Sequence, residues 1–328
     1  MIVMECQARS PGFRFLPGLR QSGDANLSGK LCLCRLARHA RISGPQFMTL
    51  MPFEALACPL DGKPLHKSGS AWRCAEGHSF DIASQGHIHL LPVQNKRSRD
   101  PGDSKEMVAC RRRFLNAGHY RPIAEAARRA VLEGTPVDAT LRCLDAGCGE
   151  GYYLRQLAAG GEERDLALIG LDISKWAVLA AAKQDQDRRM TWVVGSNANL
   201  PVLSGSLDRV LCMFGFPVYA EFARVLAPGG RLVQVDAGPD HLRELREIIY
   251  PVLKPVRSVE TRVPAGFVAL PGEMVRCSVE VNGREPIADL LAMTPHLFRA
   301  SAEGKARVAA LESLSVTVDV RVTCYLRE

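Results

Sequence analysis

The chain of 328 residues is 47% hydrophobic and 23% charged, the balance of an ordinary globular protein, and is long enough for a main domain plus one or two small ones. No uninterrupted apolar run approaches the roughly 18 residues of a membrane helix, so no membrane partner is expected. The net charge of +7 is a poor nucleic-acid signal, because residues 1–48 carry seven Lys/Arg against Glu5 and Asp24 and so supply +5 of it. Local basic patches, not the total, must carry any case for RNA. Of the eleven cysteines, Cys143, Cys148, Cys212 and Cys277 stand among apolar or Gly-rich neighbours. They read as buried reduced thiols, which suits a cytoplasmic protein.

Residues 1–50 form a first segment in which 1–48 show neither helical nor strand periodicity. Two readings compete: a disordered basic arm that touches nucleic acid, or an extension ahead of a start at Met48 or Met51 that is not physiological. The second is favoured. Residues 51–92 form a compact unit in which Cys58-x-x-Asp61 and Cys74-x-x-x-His78 are separated by 12 residues. This is zinc-ribbon spacing with Asp61 where a second Cys is usual. Zinc accepts a carboxylate but prefers sulfur and nitrogen. Either a zinc site of Cys58, Asp61, Cys74 and His78 survives with lower affinity, or packing of Trp72, Phe80 and Leu65 holds the ribbon without metal. The metal site is expected, because a domain this small has a marginal core; His66 is a further candidate ligand, although a solvated surface histidine is the favoured reading.

A basic linker with helices follows over residues 93–135. The run from Lys96 to Arg113 holds seven Lys/Arg, namely Lys96, Arg97, Arg99, Lys105, Arg111, Arg112 and Arg113, against three acids. One helix carries Arg111-Arg112-Arg113-Phe114-Leu115 and ends near Gly118-His119-Tyr120; a second covers residues 123–132. From residue 136 to 328 strands and helices alternate. Strands are expected over 141–145, 166–172, 190–194, 208–214 and 231–236, and helices over 175–183 and 220–226. Short apolar runs alternating with helices mean a parallel sheet with crossover helices. In the tail, Leu314, Val316, Val318, Val320 and Val322 alternate with polar residues, which predicts a half-buried antiparallel strand at the sheet edge.

The run Asp145-Ala146-Gly147-Cys148-Gly149-Glu150-Gly151 behind the first of these strands lets a ligand approach the backbone closely. It lacks the Gly-Lys-Ser/Thr of a phosphate loop, and an acid precedes its first glycine. An acid there suits a cationic ligand, and S-adenosylmethionine carries an ammonium and a sulfonium. Asp172 ends the next strand, placed to accept ribose hydroxyls. Asn197, after the third strand, is placed to hold the adenine edge. Ala227-Pro228-Gly229-Gly230 precedes the fifth strand. In this order the features resemble class I, Rossmann-like, S-adenosylmethionine-dependent methyltransferases, here with a small N-terminal zinc-ribbon-like domain.

Residues 56–328 further resemble the RlmA (RrmA) family of 23S rRNA guanine-N1 methyltransferases. The resemblance rests on residues 86–94, on Lys96-Arg97-Ser98-Arg99-Asp100-Pro101-Gly102-Asp103-Ser104, on Arg112-Arg113-Phe114-Leu115, on Gly118-His119-Tyr120, on the Asp145 loop, on Gly238-Pro239-Asp240-His241-Leu242 and on Met293-Thr294-Pro295. It implies a homodimer that modifies a hairpin loop of 23S rRNA, with Tyr120 and His241 near the methionine end of the cofactor. The sequence departs from the family at Asp61, and at Phe214-Gly215-Phe216-Pro217-Val218, where an Ala-Pro-Cys-like run is expected. The set expected at the cofactor is therefore Tyr120, Asp145, Gly147, Gly149, Glu150, Gly151, Asp172, Asn197 and His241. RNA capture falls to the ribbon and the segment from Lys96 to Arg113, with Lys96, Arg97, Arg99, Arg111, Arg112 and Arg113 as the candidate contacts. Phe214, Phe216 and Tyr219 are candidates for an aromatic wall beside the target base. The sequence identifies no general base; Asp236 is a weak candidate, and a structural acid is the favoured reading at that position. The alternatives are methyl transfer to another RNA or a small molecule, and an rRNA-binding protein that has lost catalysis.

Overall fold

The structure is a computed structural model that describes residues 49–95, 98, 100–136, 138–160, 164–253 and 262–328. The N-terminal extension to residue 48 and the side chains of Lys96, Arg97 and Arg99 lie outside the described residues. No helix among the described residues is long and apolar enough to cross a membrane.

The ribbon is a three-stranded antiparallel sheet of β1 (His66–Ser68), β2 (Ala71–Arg73) and β3 (Ser79–Asp81), followed by β4 (His87–His89). Two helices come next, α1 (Lys105–Asn116) and α2 (Arg121–Leu132). The alternating region is β5 (Leu141–Ala146), α3 (Tyr152–Ala158), β6 (Leu166–Asp172), α4 (Lys175–Gln184), β7 (Thr191–Val194), β8 (Leu207–Met213), α5 (Tyr219–Val225) and β9 (Leu226–Ala237). After it come α6 (Arg243–Ile249), β10 (Phe267–Asn282), α7 (Arg284–Ala292), α8 (His296–Arg299), α9 (Ala302–Ala309) and β11 (Ser313–Arg327).

Eight strands make one sheet in the order β10-β11-β9-β8-β5-β6-β7-β4. The strands from β4 to β9 are parallel neighbours, whereas β11 runs antiparallel to both β9 and β10. Chain progression reverses between β5 and β8, and the crevice outside the carboxyl ends of such strands is where open α/β sheets take ligands.

The five parallel strands read from periodicity are present, each displaced by at most a residue or two except β9, which starts early by absorbing Pro228-Gly229-Gly230. The tail strand is antiparallel as expected, but it is not at the edge. Residues 313–327 lie between β9 and β10, and Val316, Val318 and Val320 are wholly buried. The edge belongs to β10, whose Val275, Cys277, Val279 and Val281 alternate with polar residues. Cys277 is consequently half-buried, while Cys143, Cys148 and Cys212 are buried. The three-residue β4 is too short for any periodicity and joins the large sheet through β7.

The ribbon shares its core with this sheet. Phe53, Leu56, Leu65, Trp72 and Ile88 pack in one cluster with Leu144, Ile169 and Val210. The Ala57 N–H donates to the Pro201 carbonyl at 3.0 Å, so the junction is hydrogen-bonded as well as apolar. On the other side, α1 docks onto α7. Ser104 caps α1 by accepting the Met107 N–H at 3.3 Å. Arg113 then reaches across to Asp289 with two parallel bonds, Nε to Oδ2 at 2.8 Å and Nη2 to Oδ1 at 2.5 Å.

Asp289 is only 3% exposed, so removing its partner strands a buried carboxylate. Arg113→Ala is expected to lower stability by about 2 kcal/mol, because the half-exposed arginine screens part of the pair. Urea unfolding tests this; an unchanged midpoint would show that the pair is dispensable.

Candidate functional site: a cofactor cleft, an aromatic shelf and a metal centre

The candidate cofactor residues gather where β5, β6 and β7 end. Asp145 stands next to last in β5, is 0% exposed, and neither carboxylate oxygen has a hydrogen-bond partner. Burial, and then the neighbouring Asp172, push its pKa up to about 8. Asp172 closes β6 and accepts the N–H groups of Gly149 at 3.0 Å and Ser174 at 2.8 Å. Burial raises its pKa too, although these two bonds oppose the shift. The loop between them turns through Gly147, Gly149 and Gly151 at φ of 93°, 56° and 81°. At Gly151 a Cβ would lie 2.6 Å from the Trp192 ring, so side-chain bulk is excluded there by packing as well as by φ.

Asn197 follows β7; its Oδ1 is buried without a partner, and its Nδ2 lies 3.5 Å from the Ala146 carbonyl. Unpartnered buried acceptors at Asp145 and Asn197 are costly unless a ligand supplies donors or positive charge. A cationic sulfonium carrying an amine and an adenosyl group fits that donor set. Glu150 is brought to the same loop but turned inward: its Oε2 accepts from Arg155 at 3.0 Å and Gln184 at 2.7 Å.

Tyr120 and His241 arrive from opposite ends of the sequence. The Tyr120 hydroxyl lies 3.2 Å from His241 Nε2, and the Asp319 N–H points at His241 Nδ1 from 3.3 Å. Burial holds His241 down to about 4, so the ring is neutral at pH 7. With Nδ1 accepting, the proton sits on Nε2 and is donated to Tyr120, whose own hydroxyl hydrogen stays free to point elsewhere.

Phe214 stacks on His241 with centroids 5.7 Å apart and an interplanar angle of 27°. Two non-glycine residues here, Phe214 and Leu242, have φ of 50° and 53°, and such strained backbone gathers at sites of function. Phe214 is 38% exposed and Phe216 91% exposed, so both face solvent as a wall would. Tyr219 does not join them, because its hydroxyl donates to Gln234 Oε1 at 3.0 Å. Gln234 in turn donates to Asp236 at 2.7 Å, and burial raises the pKa of this half-buried acid.

The three adjacent arginines of α1 diverge, since successive helical residues point about 100° apart. Arg112 is exposed, Arg113 is tied to Asp289, and Arg111 pairs with Asp103 while donating to the Met293 carbonyl at 3.0 Å. The expectation that all three form one RNA-facing patch therefore gives way to a structural role for Arg113 and an inward role for Arg111.

In the ribbon, one ligand atom from each of Cys58, Asp61, Cys74 and His78 lies within 4.8 Å of the others. His78 Nδ1 stands 3.4 Å from Cys58 Sγ, 3.3 Å from Cys74 Sγ and 3.2 Å from Asp61 Oδ2; Cys74 Sγ to Asp61 Oδ2 is 3.5 Å. Donors around a tetrahedral zinc ion with bonds of about 2.0–2.3 Å stand roughly 3.3–3.8 Å apart, so the set fits. Asp61 serves because its Oδ1 is taken by the Lys63 N–H at 2.9 Å, which aims Oδ2 at the centre. His66, exposed on β1, is not part of the group.

The pH dependence of Asp145 follows from its raised pKa. A carboxyl whose folded pKa lies above its unfolded value stabilises the fold fully below the unfolded pKa and loses that contribution as pH rises through the folded one. Between the ordinary carboxyl value of 3.8 and about 8 the cofactor-free protein should lose stability as pH rises. Asp145→Asn is expected to be more stable than the parent at pH 8, by about 1 kcal/mol or more, with the difference shrinking toward pH 4. Urea titrations at the two pH values check this, and a constant difference would refute it.

Comparison with known proteins agrees with this geometry. Residues 56–99 match the family model described as RlmA, N-terminal, a zinc ribbon, and residues 143–230 match a methyltransferase domain. The 23S rRNA (guanine(748)-N(1))-methyltransferase of Streptomyces fradiae is 33% identical over 278 residues, covering 82% of this chain and 95% of its own. A Micromonospora griseorubida protein, 34% identical over 293 residues with 82% and 96% covered, carries a 23S rRNA (guanine-N1) methyltransferase name in provisional form. Among solved structures, the YcgJ protein of Bacillus subtilis is similar with 18% identity and a TM-score of 0.39, covering 64% of this chain and 99% of that one. Ribbon, methyltransferase core and near-full-length likeness coincide, and the chain belongs to the RlmA family of 23S rRNA (guanine-N1) methyltransferases.

Proposed function

We propose that the protein transfers a methyl group from S-adenosylmethionine to N1 of a guanine in a hairpin loop of 23S rRNA, in the cytoplasm. The observation that carries this is the pair of buried, unpartnered acceptors at Asp145 and Asn197 beside an open aromatic shelf, in a chain whose relatives are named for that reaction. When bound, the cofactor supplies a sulfonium-activated methyl group. Asp145 and Asp172 hold its cationic and hydroxyl groups, Gly147, Gly149 and Gly151 give it room, Asn197 reads the adenine edge, and Tyr120, fixed by His241, closes the methionine end.

The target base leaves its stack and lies against Phe214 and Phe216. Aromatic stacking contributes about 1–3 kcal/mol per base and keeps the flipped nucleotide in line with the methyl group. Guanine N1 must lose its proton, and Asp236, with its pKa raised by burial, is the acceptor. Lys96, Arg97, Arg99 and Arg112 meet the phosphates, which gives salt-dependent affinity without base choice. Cys58, Asp61, Cys74 and His78 hold one zinc ion, which rigidifies the ribbon. The protein acts as a homodimer, for which the 16-residue open edge of β10 with exposed Val268 and Met274 offers a surface, and a monomer mass by light scattering would remove this element.

Tritium transfer from labelled cofactor to 23S rRNA, with mapping of the product, tests the reaction. Label is expected at guanine N1, and label only elsewhere, or on a small molecule, would replace the reading. In the same assay Phe216→Ala is expected to lower kcat/KM about 5–100-fold. Asp236→Asn is expected to cost about 100-fold in kcat and to abolish the rise of rate with pH through the Asp236 ionisation. A variant with the parent's pH profile would exclude Asp236 as the base.

For the metal, elemental analysis is expected to give close to one zinc per chain. Asp61→Cys should hold zinc more tightly against a chelator and Asp61→Ala less tightly. Zinc far below one equivalent in fresh protein would reject the four-ligand centre.

A further inference from the structure

Arg111 sits on the cofactor loop. A Cβ on Gly149 would lie 3.8 Å from its Cδ and Nη1, and its side chain is 25% exposed. Its position is imposed from both flanks. On one side, Nη1 pairs with the Asp103 carboxylate. The main-chain oxygen of Asp103 accepts the Ser174 hydroxyl at 2.7 Å, and the Ser174 N–H is bonded to Asp172. Residues 100–104 are thus strapped to the β6–α4 turn, with a further ion pair between Asp100 and Lys175. The strap comes so close that a Cβ on Gly102, at φ +82°, would stand 2.8 Å from the Ser174 Cβ. On the other side, Nη2 donates at 3.0 Å to the carbonyl of Met293, the C-cap residue of α7. Two stretches singled out in the sequence, residues 100–104 and Met293-Thr294-Pro295, therefore converge on one guanidinium.

These two bonds leave the remaining guanidinium N–H groups available. Electrostatics decides what they meet. Two acids already stand beside the loop, Asp145 wholly buried and Asp172 half-buried, and desolvation raises the pKa of both while Arg111 acts against the rise at Asp172. A ligand whose amino-acid end carries an ammonium and a carboxylate finds partners for the first in those acids and repulsion for the second. A fixed guanidinium beside Gly149 resolves that conflict, and planar guanidinium is the side chain suited to a carboxylate.

We propose that Arg111 is a cofactor-binding residue that holds the carboxylate of the methionine end of S-adenosylmethionine, and that it is not part of the RNA surface. This rests on the cofactor reading above. Phosphate contact is disfavoured because the side chain is three-quarters covered and bonded at two of its nitrogens.

The test compares two ligands by calorimetry on the full chain: S-adenosylhomocysteine, which has the carboxylate, and 5′-methylthioadenosine, which lacks the amino-acid end. Arg111→Ala is expected to weaken S-adenosylhomocysteine about 10–100-fold while leaving 5′-methylthioadenosine within about 2-fold, with Arg111→Lys between. Affinity for an rRNA hairpin should be unchanged. The ratio of the two ligand affinities within one preparation does not depend on the fraction folded, and Arg111→Gln provides the same comparison if the alanine variant is insoluble. Equal losses for both ligands, no loss for either, or a fall in RNA affinity alone would each overturn the assignment. Failure of the parent protein to bind S-adenosylhomocysteine at all would instead overturn the cofactor reading, and this proposal with it.

Discussion

A carboxylate buried without a partner at the end of a central strand organises this molecule. Asp145 is wholly enclosed, and a second acid, Asp172, stands at the end of the neighbouring strand. Such a pair is unfavourable in an empty protein, since burial and mutual repulsion both oppose ionisation. It becomes favourable when positive charge enters between the acids. The fold thus stores, at the switch point of its sheet, an electrostatic demand that a cationic cofactor satisfies.

The rest of the chain is arranged around that demand. Three left-handed glycines keep the loop thin enough for a ligand to lie against the backbone. Tyr120 and His241 are held together, with the histidine kept neutral by burial and oriented by the Asp319 N–H. The segment ahead of α1 is tied in through Ser174 and Arg111. The ribbon shares its core with β5, β6 and β8 instead of standing apart. A backbone N–H there pins one Asp61 oxygen and leaves the other turned toward Cys74 and His78.

Much of this was legible in the sequence because it depends on local chemistry. Short apolar runs alternating with helices located the five parallel strands, and the glycine spacing located the loop between β5 and α3. The Cys58, Asp61, Cys74 and His78 spacing foretold that four potential ligand atoms come together, since each half-site is a tight turn whose geometry is set within a few residues. The long β10 was missed although Val275, Cys277, Val279 and Val281 carry the same alternation as the tail strand. The place of β11 in the sheet was misread because alternation records one buried face and is silent about which neighbours pair at the edges.

The sequence alone determined the fold class, the cofactor class and the family, all of which follow from motifs whose residues are close together in the chain. Tertiary structure decided which of the arginines at 111, 112 and 113 faces solvent and which turns inward, because that depends on what α7 and residues 100–104 present to α1. It likewise decided that the Tyr219 hydroxyl bonds Gln234 and that one Glu150 oxygen goes to Arg155 and Gln184 while the other is buried without a partner. The physical reason is the same in each case: residue type sets what a side chain can bond, but the partner it meets comes from a distant part of the chain, and only the folded packing brings the two together.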